Sequence, residues 1–411
     1  MPSPVINGVV RLPNTATRGN TLTIGEPSAA MIGDHIFATG NLYAARSLDH
    51  GSTWTHIPPG RFLRPQPSTP FCCDQTMIHD ASRNIVVWIS QYLRNANENT
   101  LRIAVNPGAT LGDRDWHLWD FVPTMVDASF TDEWFDYNHA ALSDNFLYVG
   151  TNMYGTAQDE PWKRSIVLRF SLDELQAGGT LTFDYIESAV HGSLRCTSGA
   201  ADTMYVVAQN ADMQSLHIWE WPEGGGVTDA DVTVSTWVDG INGYPSTCPD
   251  GTEWLGRCDD RITGAWVAEG QLGAMWTSDA MAGRPHPFIR AVVIETAGLT
   301  LVDEPDIFSA DHAFAYPDAC PSSDGVVGLT LFIGGGTIHP SHVVGRLESD
   351  LTWSLTTAES GTNGPSDGTW GDYIHCRRMA PNGTRWIATG FTLQGGDAAA
   401  DIVQHIVEFS L

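Results

Sequence analysis

Apolar and polar residues alternate in short runs along almost the whole chain, as in NFLYVGTNMY from Asn145, RSIVLRF from Arg164 and HVVGRLE from His342, each bounded by Gly, Asp, Asn or Pro. A period of two with such punctuation predicts half-buried β-strands joined by tight turns. Amphipathic helix is missing. Only SLDELQAGG, after Phe170, has helical propensity, and its length predicts a single turn between two strands.

The strands fall into groups that open alike: a polar or aromatic pair, a strand of small residues, a tight turn and a more apolar strand. Seven openings are found, near residues 26, 73, 136, 193, 260, 316 and 371. With Pro27, Asp74, Tyr137, Arg195, Arg261, Asp318 and Asp372 as landmarks, successive openings lie 47 to 66 residues apart. That period suits a four-stranded propeller blade with generous loops. The predicted fold is therefore all-β, a single seven-bladed β-propeller over residues 1–411. After the second strand of blade seven only DIVQHIVEFSL remains, so the run from Val5 to Leu12 is expected to supply the outer strand and close the ring. A β-sandwich of this length would need two domains and a linker, and no Pro/Ser-rich or charged break separates the groups.

Composition narrows the function. The 411 residues carry 48 acidic against 21 basic side chains, a formal charge of −27, with Lys163 the sole lysine. Such a surface repels nucleic acid and anionic membrane, and neither is expected as a partner. The 41 Gly and 23 Pro exclude an all-α chain, while 15 Trp and 15 Phe supply a large core. No apolar run reaches the ~18 residues of a membrane span, and Met1 to Pro13 lacks the regions of a signal peptide. Seven cysteines leave at least one thiol unpaired within the chain. Cys248 and Cys258 bracket a loop short enough to bridge, a pairing the sequence leaves open. Adjacent Cys72 and Cys73 could form a strained vicinal disulfide, but at a strand start they read first as two small buried residues, and Cys196, Cys320 and Cys376 as packing residues.

One motif is sharp. Residues Ser47 to Trp54 read SLDHGSTW and match S-x-D-x-G-x-T-W at every defined position. In this the chain resembles the Asp-box (BNR-repeat) propellers of the sialidase superfamily, with degenerate copies at LGDRDWHLW after Thr110 and SDLTWS after Glu348. WFDYNHAALSDNFLYV and TWGDY also resemble segments of secreted bacterial propellers grouped loosely with sialidases. The resemblance implies a propeller and a carbohydrate substrate; a monomer is expected, secreted or periplasmic, with a cytoplasmic location left open by the missing signal peptide. The box itself is a folding device on the rim, where Ser47 and Asp49 cap turn amides and Gly51 takes a conformation other residues avoid. Sialidase chemistry does not carry over. Those enzymes open blade one with an R-I-P motif, whereas here Glu26-Pro27 stands there and would repel a sialate carboxylate; the similar Arg11-Leu12-Pro13 falls in the closing strand.

In a propeller the innermost strands start on one face, so the openings converge on a mouth around the axis. The candidate catalytic residues there are Tyr137, His139, Asp74, Asp318 and Asp372. The candidate substrate-binding residues are Glu26, Asp136, His191, Arg195, Arg261, Tyr316, Tyr373, His375 and Arg377, with Asp260 beside them. Carboxylates for hydroxyls, aromatic faces for sugar C–H surfaces and acid/base pairs are what a glycan site needs. Two carboxyl groups across the funnel, Glu26 or Asp74 against Asp318 or Asp372, would make a glycoside hydrolase. Tyr137 and His139 with Arg195 and Arg261 would suit a polysaccharide lyase acting by β-elimination on a uronic acid. A non-catalytic glycan-binding or scaffold propeller would use the same residues without turnover. No metal-ligand, P-loop or dinucleotide motif occurs, and no cofactor is expected. The acidic segments TDADV after Val227 and DEPD at Asp303 leave room for a structural calcium ion.

Overall fold

The computed structural model describes residues 3–157, 161–240 and 243–411. Seven four-stranded antiparallel sheets form it, each following chain order except the last. The innermost strands of blades one to seven are Ser28–Ile32, Phe71–Asp80, Glu133–Leu142, Arg195–Cys196, Ile262–Ala268, Ala313–Pro321 and Cys376–Arg378. Blade seven takes its outer strand from the N terminus: Val5–Arg11 pairs antiparallel with Ile402–Ser410, from Val5 opposite Ser410 to Arg11 opposite His405. The ring is thus closed by hydrogen bonds and not only by packing, which leaves no open edge at the seam.

The core lies between blades. A sheet covered on both faces buries both sets of side chains, so the alternation that marks a half-buried strand disappears. Ile85–Tyr92, the second strand of blade two, is accordingly buried along its whole length. Its Ile85, Val87 and Ile89, with Ile103 and Val105 of the next strand, pack against Phe135, Leu147, Val149, Ile166 and Leu168 of blade three. Strand glycines admit the largest rings. Gly150 pairs with His139 and Gly273 with Trp266, and a Cβ on either glycine would collide with the ring opposite.

Three local segments are built as follows. Leu172–Ala177 forms the one-and-a-half-turn helix, with Ser171 Oγ accepting from the Glu174 N–H and Gly178 closing it at φ 75°. The segment Ser47–Trp54 links the third and fourth strands of blade one. There Ser47 Oγ accepts from the Gly51 N–H at 2.8 Å, Asp49 Oδ1 accepts from the Thr53 N–H at 2.7 Å, and Gly51 has φ 80°. Antiparallel order puts this turn on the face opposite the strand openings. In the third, Asp350 of the SDLTWS segment accepts from the Thr352 N–H and hydroxyl in a smaller version of the same turn.

The cysteines correct one reading. Cys72 and Cys73 form a disulfide. An unbroken strand would point neighbouring side chains to opposite faces, but the register slips on both sides of Cys73, which frees the two thiols from alternation. Cys248 and Cys258 are unbridged and buried, as are Cys196, Cys320 and Cys376. In the DEPD segment Glu304 and Asp306 both pair with Arg290, and Asp306 with Arg284. The TDADV segment lies in the outer strand of blade four, Thr228–Thr233.

Candidate active site

Six of the seven openings share a backbone feature. Glu26, Asp74, Tyr137, Ser193 and Tyr316 have φ of 46°, 40°, 58°, 51° and 56°, and Gly371 has 121°. In blades two, three and six the strand register slips at this point. A bulge re-aims the side chain it carries, and left-handed backbone on residues with a Cβ is costly enough to be concentrated at functional sites.

Four carboxyl groups meet at this level. Glu26 and Asp74 lie side by side, and Asp136 and Asp372 lie close enough to act on both. Burial, then the neighbouring Asp74 and Asp372, holds the Glu26 carboxyl well above its ordinary range. Burial, then Asp136 and Asp372, pushes Asp74 up to about 7. Asp136 is also raised, mainly by burial, while it accepts from Gln91 Nε2 at 3.0 Å. Asp372 has a cation of its own: Arg257 donates to both its oxygens, at 3.2 Å from Nε and 2.8 Å from Nη2.

Two phenols complete the wall. The rings of Tyr137 and Tyr373 lie 5.8 Å apart, and the Arg261 guanidinium sits 4.3 Å over Tyr137 while pairing with Asp259. Burial raises both phenols, Tyr137 to about 12. Both are therefore protonated donors at neutral pH. Glu26 Oε2 and the hydroxyls of Tyr137 and Tyr373 are buried without a hydrogen-bond partner among the described residues. Buried polar atoms are rarely left unpaired, which makes this trio notable at the strand openings.

Two residues further into the strands the axis is filled by a different group. Asp318, fully buried, accepts from Arg195 at 2.9 Å, Arg377 at 3.2 Å and the Cys376 N–H at 2.9 Å. His139 Nε2 accepts from the Cys196 N–H, and His375 Nδ1 donates to the Pro27 carbonyl at 3.1 Å. Burial, then nearby arginines, holds both imidazoles well below the usual histidine range, so both are neutral. These residues converge as expected, but as a structural plug beneath the carboxyl cluster.

Two expected residues face elsewhere, and a third, Tyr316, stays beside Asp372 and Arg261 but has its hydroxyl already bonded. His191 stacks on His217 of the third strand of blade four at 4.5 Å and bonds Asn210. Asp260 accepts from Trp237 Nε1 at 2.8 Å, and burial pushes it up to about 6. The Tyr316 hydroxyl donates to the Trp370 carbonyl at 2.6 Å. Arg257 and Asp259 are additions that the repeat pattern does not point to. Both lie in the segment 234–261 between blades four and five, whose Trp254 and Leu255 pack with Trp370 and Phe332. A cavity of about 490 Å³ lies under the same segment, lined in part by Asp239, Tyr244, Glu253 and Gly256, next to Arg257.

No protein-family model matches the sequence, and no curated protein sequence does. Among solved structures, the α-L-arabinofuranosidase of Fusarium graminearum in complex with arabinobiose aligns over 98% of this chain and 97% of its own, with a TM-score of 0.46 and 8% identity. The α-L-arabinanase of Penicillium chrysogenum complexed with arabinobiose aligns over 99% and 98%, with a TM-score of 0.42 and 10% identity. Trypanosoma rangeli sialidase aligns over 98% of this chain and 60% of its own, with a TM-score of 0.41 and 8% identity.

Proposed function

We propose that this protein is a carbohydrate-active enzyme, a glycoside hydrolase working at the funnel mouth. The observation that carries the reading is the buried Glu26–Asp74 pair, both carboxyl groups raised by burial and by acidic neighbours, beside Asp372, which pairs with Arg257. Hydrolysis of a glycoside needs this asymmetry: one carboxyl group gives its proton to the leaving oxygen as the C–O bond breaks, and a carboxylate stabilises the cationic sugar or activates water. In this reading Asp74 or Glu26 is the acid, Asp372 the carboxylate, and Tyr137, Tyr373 and Arg261 bind the sugar.

Elimination by Tyr137 and His139 has less support, because His139 is buried in the axial plug and Arg195 is committed to Asp318. The Cys72–Cys73 bridge supports a secreted or periplasmic location, since disulfides persist in oxidising compartments. The test is a panel of oligo- and polysaccharides read for reducing ends and for unsaturated uronates. Reducing ends alone support hydrolysis. Both signals support a lyase, and binding without either supports a non-catalytic propeller.

A further inference from the structure

The segment between blades four and five also carries a group with different chemistry. The Cys248 N–H donates to the Thr252 carbonyl and the Gly251 N–H to the Cys248 carbonyl, forming a tight turn that carries Cys248 and Asp250. His339, in the third strand of blade six (Ile338–Leu347), approaches it, its Nδ1 3.5 Å from Asp250 Oδ2. One ligand atom from each of Cys248, Asp250 and His339 lies within 4.8 Å of the other two, the one such trio among the described residues.

Two further observations bear on the trio. His339 Nδ1 is shut off from solvent and has no hydrogen-bond partner among the described residues. Gly364 donates its N–H to Asp250 Oδ2 at 2.8 Å, and a Cβ there would fall 3.0 Å from Cys248 Sγ and 3.1 Å from Asp250 Oδ1. Bare backbone thus walls the donors.

We propose that Cys248, Asp250 and His339 bind a divalent transition-metal ion, with zinc the best match. Thiolate, imidazole and carboxylate together suit zinc, whereas calcium and magnesium take oxygen alone. Two ligands about 2.0 Å from a tetrahedral zinc lie roughly 3.3 Å apart, near the observed His339–Asp250 separation. Water or a ligand group would take the fourth position. Such an ion would tie segment 234–261 to blade six and steady Arg257, which follows on the same segment.

The full-length protein, stripped with chelator, is titrated with Co²⁺ and then Zn²⁺. The expected result is saturable Co²⁺ binding with a thiolate-to-metal charge-transfer band, displaced by Zn²⁺, and a Zn²⁺-dependent rise in melting temperature. Cys248→Ser should lose the band, and His339→Ala and Asp250→Asn should weaken Zn²⁺ binding at least about tenfold. Absence of the band in the unmodified protein overturns the proposal, whether or not the variants fold. Undiminished Zn²⁺ affinity in folded variants overturns it as well, by showing adventitious binding.

Discussion

Arg257 grips both carboxylate oxygens of Asp372 from 115 residues away, joining the segment after blade four to the opening of blade seven. The arginine side chain is 46% exposed, so its contribution to folding is small, about 1 kcal/mol or less. Arg257→Ala should therefore leave the melting temperature nearly unchanged while lowering kcat/KM on a hydrolysed glycan at least about tenfold, because Asp372 loses the cation that pairs with it and orients it. Parallel melting and kinetic measurements check this; equal activity removes the role given to Asp372.

Asp318 is the reverse case. It is fully buried between Arg195 and Arg377, and Asp318→Ala would strand two guanidinium groups without their anion. The expected loss is about 3–5 kcal/mol, read by urea denaturation. A loss below about 1 kcal/mol would show that the plug is not what holds the axis together.

Asp74 gives a pH signature in stability. Its carboxyl ionises at 3.8 in the unfolded chain and at about 7 in the folded one, so the folded state holds the extra proton between those values. Stability from this group is fully present below pH 3.8 and is lost as pH rises through about 7. Asp74→Asn should be more stable than the unmodified protein at about pH 8, by on the order of 1–4 kcal/mol, with the difference shrinking toward about pH 4. Chemical denaturation at the two pH values measures it.

Removing residues 1–12 deletes the outer strand of blade seven and exposes the edge of Ile402–Ser410. The melting temperature should fall by about 5 °C or more. An unchanged value would refute closure by this strand.

The blades are legible in the sequence because alternation and turn residues are local. Even the closing strand follows from counting strands between Val5 and Leu411. The site is legible only in part. Glu26, Asp74, Asp136, Tyr137, Asp372 and Tyr373 stand at repeat openings and do converge. His191 precedes an opening too, but the inner strand of blade four is only Arg195–Cys196, and the residue before it falls instead on His217. Arg257 has no local signal, since its position depends on Trp254 and Leu255 packing with Trp370, a contact between distant segments that no spacing encodes.

Whether a proton from the Glu26–Asp74 pair drives glycoside cleavage is decided by the release of reducing ends from a glycan substrate, followed across pH for the unmodified protein, Asp74→Asn and Glu26→Gln. Activity should decline as pH rises through about 7, where the proton on the pair is lost, and should fall about 100-fold or more in each variant. Full activity in both variants, or a rate that keeps rising above about pH 7, would contradict the acid role of the pair.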